Sequence, residues 1–246
     1  MEENYVYLGD DNTFADAKYA DELADAIRDA GIHKEISSYC RVDHICKHPE
    51  LMQKWYDIGL RYLVLGIEAV SSERLKRFNK KTDHEQNTQA IRTLREIGIF
   101  AIPHILISPE MTAPDFDDIY KFIEENEFEY PVAIPLTPLP GTQDYATFKA
   151  QGRIITDKLD FYTFMYNVIR PTHMSPREYD RLYDRLIFRM WSWSRYLRGK
   201  CGRTSFLAFL KWWVFVRLLV LKLRWRRREI YRAAEQQDAL ATRAAA

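Results

Sequence analysis

Apolar runs of five to nine residues recur about every thirty positions along this chain, and amphipathic stretches separate them. Four runs predict strands: "YVYLG" from Tyr5, "RYLVLGI" from Arg61, "IFAIPHILI" from Ile99 and "YPVAIPL" from Tyr130; "EISSYC" from Glu35 is a weaker fifth. Between them lie "ADAKYADELADAIRDAGI", "HPELMQKWYDIGL", "DHEQNTQAIRTLREIGI" and "APDFDDIYKFIEEN". In the first of these, Ala20, Leu23, Ala24 and Ile27 recur at helical spacing; in the second, Pro49 suits a first turn and Gly59 a stop. Such alternation predicts consecutive βαβ units, hence a parallel sheet with every strand's carboxyl end on one rim. The strands read as continuous apolar runs, which predicts a sheet covered on both faces, as in an open or closed α/β barrel.

Polar signals gather where those strands end. In order they are "GDDNTF" with Asp10, Asp11 and Asn12; "CRVD" with Arg41 and Asp43; "GIEAVSSERL" with Glu68, Ser71 and Ser72; "SPEMT" with Glu110; and "LTPLPGT". Any one of them is explained by helix capping, but five in succession predict a shared concave site. Glu68 directly follows "LVLGI", so its carboxylate needs a cation or hydrogen-bond partner. In "AIPLTPLPGT", Pro138 and Pro140 lack backbone donors, so the strand must leave the sheet there and make a rigid rim.

Charge is unevenly spread. Residues 1–176 hold 19 Lys and Arg against 29 Asp and Glu, whereas residues 177–232 hold 16 against 4. An acidic body therefore carries a basic, aromatic extension. Cys40, Cys46 and Cys201 are odd in number and scattered, which predicts buried structural thiols in a reducing, cytoplasmic setting.

The succession "DDNTF", "RVD", "GIEAVSSERLKRFNK", "ILISPEMTAPDF" and "LTPLPGT" resembles the radical S-adenosylmethionine (SAM) enzymes, in the subgroup that usually carries a cobalamin-binding domain, with its methyltransferases and cyclases. The likeness runs from about Tyr5 to Met174. It implies a partial (β/α) barrel whose rim holds S-adenosylmethionine beside a four-iron four-sulfur cluster. By that resemblance Asp10, Asp11 and Asn12 would hold the methionyl amino group, and Arg41 would join the same rim. Glu68 would face the ribose or the amino-acid part. Residues 105–109, with Ile105, Ile107 and Ser108, would line the adenine, and residues 136–142, with Leu136, Thr137 and Pro138, would close the far side. The family's CxxxCxxC cluster loop does not occur here, and Cys40 and Cys46 do not have its spacing. The expectation is thus an α/β barrel missing its first strand, with the binding elements for cluster and cobalamin absent, inactive alone unless a partner chain completes it.

From Ser175 the pattern changes to helices. "SPREYDRLYDRLIFRMWSWSRYL" predicts a helix packed through Leu182, Leu186, Met190, Trp193 and Leu197. Residues 206–223 are nearly all apolar except Lys211, Arg217 and Lys222, and Arg224, Arg226, Arg227 and Arg228 follow. Three placements compete for this helix: flat on a membrane surface with those arginines meeting anionic lipid, packed in protein, or spanning. The domain expectation is a barrel over 1–174, a helical extension over 175–234 and a disordered tail over 235–246. Function then divides between a radical SAM enzyme acting on a small hydrophobic molecule and a non-catalytic, membrane-associated protein with a nucleotide-like ligand. A third possibility is a metal-dependent barrel hydrolase using Asp10, Asp11, Glu68 and His104, although His104 among apolar neighbours reads better as a core residue. Nucleic acid is not an expected partner, because the basic residues are interleaved with large aliphatics. The expected location is cytoplasmic, peripheral on the inner membrane face if residues 206–223 lie on lipid.

Overall fold

The structure, a computed structural model, describes residues 4–67, 84–201 and 205–245. Five strands form one sheet in the order β1 (Tyr5–Tyr7), β2 (Glu35–Cys40), β3 (Leu60–Ile67), β4 (Phe100–Ile107) and β5 (Val132–Pro135). The β1–β2, β2–β3 and β3–β4 pairs are parallel, in registers such as Tyr7↔Ser37, Tyr39↔Val64 and Gly66↔His104. A consecutive order means that each right-handed crossover steps the same way, so the connecting helices fall on one face and the sheet is wound as in a barrel. The helices among the described residues are α1 (Ala17–Asp29), α2 (Val42–Lys47), α3 (Pro49–Asp57), α4 (His84–Ile97), α5 (Ala113–Glu125), α6 (Gln143–Ala150), α7 (Pro176–Met190), α8 (Trp193–Leu197) and α9 (Phe206–Ala245). The chain divides into two compact units, one of residues 1–105 with 122–132 and one of 106–121 with 133–246.

In the first unit the two sheet faces differ, so the cover expected on both is uneven. Ile36, Ser38, Cys40, Leu63, Leu65, Ile67 and Ile105 alternate onto one face and are all buried. On the opposite face Ser37 and Val64 are buried, Tyr39, Tyr62, Ile102 and His104 are half-buried, and Gly66 and Phe100 are exposed. The covered face meets α2 and α3, and α3 packs on α1 and α4. Trp55 anchors that layer: it is fully buried, lies edge-on to Phe14 and donates Nε1 to the Ala20 carbonyl at 3.0 Å. α1 opens at Asp16, whose carboxylate accepts from the amides of Lys18 and Tyr19. Two serines explain why β2 reads weakly in the sequence. Ser37 and Ser38 are buried but satisfied, by the Tyr5 hydroxyl and by Thr13 Oγ1 at 2.6 Å respectively.

The second unit is built around α7 and α9. Tyr179 of α7 donates to the Ile107 carbonyl and Tyr183 to the Ala133 carbonyl, each at 2.9 Å. The buried set on α7 is Tyr179, Asp180, Tyr183, Asp184, Leu186 and Met190, so Leu186 and Met190 are core as expected. Leu197, read as core, is instead 80% exposed in the short α8, which begins afresh at the Ser192 cap. Between α7 and α9 sits an ion cluster in which Asp180, Asp184 and Arg227 are buried and Arg224 is half exposed: Arg227 Nη1 lies 2.6 Å from Asp184 Oδ1, Arg224 Nε lies 2.7 Å from Asp184 Oδ2, and Tyr231 donates to Asp180 at 2.7 Å. Arg224 and Arg227 are therefore committed to protein carboxylates, which corrects the expectation that they meet lipid. α9 continues through residues 235–245, where the sequence suggests a disordered end. Its inner side packs with Ile154, Ile155, Phe161, Tyr162, Val168 and Ile169 through Leu223, Ile230 and Ala234.

Candidate functional site

In the first unit the carboxyl end of β1 turns through residues 8–16 before α1 begins. Asp10 and Asp11 are exposed on this turn, and Thr13 and Phe14 are buried beneath it. Thr13 links the turn to β2, donating Oγ1 to Asp10 Oδ2 at 3.4 Å and meeting Ser38 Oγ at 2.6 Å. The Asn12 Oδ1 atom is shielded from solvent and has no hydrogen-bond partner among the described residues. A buried acceptor of this kind ordinarily costs about 1–3 kcal/mol, and a bound donor would remove that cost.

At the carboxyl end of β2, Arg41 Nε lies 3.0 Å from Asp43 Oδ1, and Lys47 also faces Asp43. Burial pushes the Asp43 carboxyl up, but Arg41, His44 and Lys47 together hold it below its ordinary value. Arg41 is thus already paired within its own loop. Next to it, on the less covered sheet face, three rings run across the strands: Tyr7 lies edge-on to Tyr39 at 6.0 Å, and Tyr39 edge-on to His104 at 5.8 Å. A hydrogen bond with Tyr39, added to burial, pushes the Tyr7 phenol up to about 12. His104 is half-buried rather than a core residue, and burial holds its pKa below the ordinary value, so its ring is neutral at pH 7. Gly66 pairs with His104, and a Cβ there would meet nothing within 4 Å. Among the described residues, open space therefore lies over the centre of this face. The row of Tyr7, Tyr39 and His104 was not expected as a unit. Its signal was the shared strand parity, which becomes readable only once the register is known.

Of the other residues expected at the site, Ile105 is fully buried on the helix-covered face and offers only backbone. Glu68, with Ser71, Ser72, Asn79 and Lys80, lies outside the described residues. Ile107, Ser108, Leu136, Thr137 and Pro138 belong to the second unit. There the Ile107 carbonyl accepts from the Leu136 amide at 3.0 Å as well as from Tyr179. Ser108 is buried and its Oγ accepts from the Glu110 amide at 3.1 Å. Thr137 donates Oγ1 to the Pro135 carbonyl at 3.1 Å and Pro138 is buried, so the "TPLP" corner turns rigidly out of the strand. Glu110, one of the rim acceptors expected from the sequence, is engaged by Arg153 and Thr172. Burial raises its pKa, and those two partners more than reverse the effect.

The cysteines do not gather. Cys40 points into the covered face, where burial pushes its thiol well up; Cys46 donates to the Gln86 carbonyl at 3.5 Å; Cys201 is buried in the second unit. Among the described residues no three His, Cys, Asp or Glu side chains are placed to hold a metal ion. A hollow of about 410 Å³ does lie in the first unit, lined by His33, Lys34, Glu35, Asp57 and Arg61. It sits at the amino ends of the strands, the opposite rim from the one that holds ligands in parallel α/β proteins.

A consecutive parallel sheet, one face clad in helices and the other less covered, with acidic loops at the strand ends, defines an α/β-barrel type of protein. Residues 2–123 match the model of the Radical SAM superfamily, and this region belongs to that superfamily. Among curated proteins the chain is similar to the hopanoid C-3 methylase of Methylococcus capsulatus, 26% identical over 180 residues, covering 73% of this chain and 34% of the methylase. It is also similar to the bacteriochlorophyllide d C-8(2)-methyltransferase of Chlorobaculum tepidum, 24% identical over 175 residues, 70% of this chain and 38% of that protein. A third relative is the anaerobic magnesium-protoporphyrin IX monomethyl ester cyclase of Rubrivivax gelatinosus, 30% identical over 164 residues, 65% of this chain and 28% of the cyclase. The chain spans about a third of the length of these curated relatives. Among solved structures, the radical S-adenosylmethionine methyltransferase TsrM from Kitasatospora setae, with cobalamin and an iron–sulfur cluster bound, shares the fold at a TM-score of 0.53 and 15% identity. That likeness covers 95% of this chain and 52% of TsrM. Methanocaldococcus infernus Elp3 shares the fold at a TM-score of 0.52 and 14% identity, over 76% of this chain and 45% of Elp3.

Proposed function

We propose that this chain holds S-adenosylmethionine at the carboxyl ends of β1 and β2 and serves a radical SAM methyltransferase or cyclase that acts on a hydrophobic small molecule. The observation that carries the reading is Asn12 Oδ1, a buried acceptor with no hydrogen-bond partner among the described residues, in the same turn as the carboxylates of Asp10 and Asp11. An ammonium group carries three donors and a full charge, and this turn offers an amide oxygen and two carboxylates to meet them. Thr13, tied to Ser38, fixes the turn against β2 before any ligand arrives. Tyr39, neutral His104 and the open space over Gly66 supply an aromatic surface on the less covered face of the sheet. When bound, S-adenosylmethionine supplies a sulfonium-linked methyl group and a 5′-deoxyadenosyl group.

The substrate class rests on the relatives. The hopanoid, bacteriochlorophyllide and magnesium-protoporphyrin ester in their names are polycyclic and mostly apolar, which supports a hydrophobic substrate here. The cysteines of this chain do not fit an iron–sulfur cluster, since Cys40 is turned into the core and Cys201 belongs to the other unit. No residue among those described is assigned to cobalamin. On its own, the chain binds the nucleoside without cleaving it.

Titration calorimetry with S-adenosylmethionine tests the reading. The chain binds, and Asp10→Asn with Asp11→Asn weakens binding by about ten- to a hundredfold, the worth of a charge-assisted hydrogen bond. Binding unaltered by these changes contradicts the assigned site. Release of 5′-deoxyadenosine after incubation with iron, sulfide and a reductant contradicts the statement that the chain alone does not cleave its ligand.

A further inference from the structure

α9 has two dissimilar sides. One is the packed side, where Phe209, Val216, Val220 and Leu223 are buried. The other is apolar and open: Leu207, Leu218, Leu221 and Trp225 are 66%, 60%, 57% and 69% exposed, and Val214 and Phe215 stand beside them. Leu207, Val214 and Leu221 are seven apart, as are Lys211, Leu218 and Trp225, so they form one stripe about 27 Å long at 1.5 Å per residue. A stripe of this size on the surface of a protein marks an interaction site.

Charge says which kind. From Phe206 to Arg228 the helix contains no Asp or Glu. Three of the helix's cations are already engaged: Arg217 lies over the Trp213 ring at 3.7 Å, and half-exposed Arg224 and buried Arg227 pair with Asp184. Lys211, Lys222 and Arg228 are exposed on or beside the stripe and form no ion pair among the described residues. A second copy of the helix would bring the same cations against them with no acid to answer, which disfavours pairing of two such stripes. An anionic surface with an apolar interior meets both requirements at once. No helix among the described residues is long and apolar enough to cross a membrane.

We propose that the outward stripe of α9 docks the protein flat on an anionic lipid surface. Leu207, Val214, Leu218 and Leu221 enter the acyl boundary, and Lys211, Lys222 and Arg228 reach lipid phosphates. Trp225 sits at the headgroup level, and the paired arginines of the inner side hold α9 on α7 meanwhile. This inference stands apart from the nucleoside site and survives its failure.

Flotation of the full chain with vesicles of phosphatidylcholine alone, or with a third of phosphatidylglycerol added, tests it. The protein floats with the anionic vesicles, and its tryptophan emission shifts to the blue as Trp225 leaves water. Lys211→Gln with Lys222→Gln keeps every apolar residue and weakens binding by about 25-fold, at roughly fivefold per charge. Leu218→Ser with Leu221→Ser, folded as judged by circular dichroism, abolishes the emission shift. Absence of flotation, flotation indifferent to phosphatidylglycerol, or a stable dimer in solution that the leucine variant dissociates would each overturn the proposal.

Discussion

At the scale of single residues, burial decides what each charged group does. Asp180 shows it most clearly. Burial, helped by Asp184, raises its pKa to about 6, against the opposing pull of Arg227 and Tyr231. In the unfolded chain the same carboxyl ionises near its ordinary value of 3.8. Below that value both states are protonated and the group is neutral to stability. Between about pH 4 and pH 6 the unfolded state releases its proton first, so stability is lost as pH rises, by about 2–3 kcal/mol in all. Denaturation across that window is therefore expected to show the decline in the native protein and a flatter profile in Asp180→Asn, which is also more stable at pH 8. An unchanged slope in the variant contradicts the assignment. Residue identities were partly legible in the sequence: Asp10, Asp11 and Asn12 do share one turn. His104 was not, because its half-open setting depends on Gly66 across the sheet and on Tyr39 two strands away.

At the scale of elements, the strands were readable because both ends of each run carry stop signals, and register then follows from a few contacts. Gly59 sets the start of β3. Its φ is +119°, and a Cβ built on it would lie 2.0 Å from the Lys34 carbonyl oxygen, while its own carbonyl accepts from the Ile36 amide at 2.8 Å. Gly59→Ala thus combines a backbone clash with a disfavoured dihedral and is expected to cost about 2–4 kcal/mol in chemical denaturation. A loss below about 0.5 kcal/mol would show that the β2–β3 junction is looser than described. The helices past Ser175 were less legible. Periodicity finds an apolar side on α7, but its buried side also includes Tyr179, Asp180, Tyr183 and Asp184, whose partners Ile107, Ala133, Arg227 and Tyr231 are distant in the sequence. For the same reason an arginine run that reads as a lipid contact includes two residues bound to an aspartate.

At the scale of the whole molecule, the alternation of strand and helix carried the fold class, since consecutive βαβ units permit few other arrangements. Chain spacing alone did not show that, among the described residues of the first unit, the helices lie on one face of the sheet. That follows from the strand order 1-2-3-4-5, a property of pairing rather than of any segment. The central functional claim is that a nucleoside with an ammonium group sits on the β1 turn, at the carboxyl rim. Photo-crosslinking with an azido derivative of S-adenosylmethionine, followed by peptide mapping, reads this directly. Label on residues 8–16, competed by unmodified S-adenosylmethionine and lost in Asp10→Asn with Asp11→Asn, is the predicted result. Label confined to the opposite rim, at His33, Lys34 or Arg61, would contradict the account.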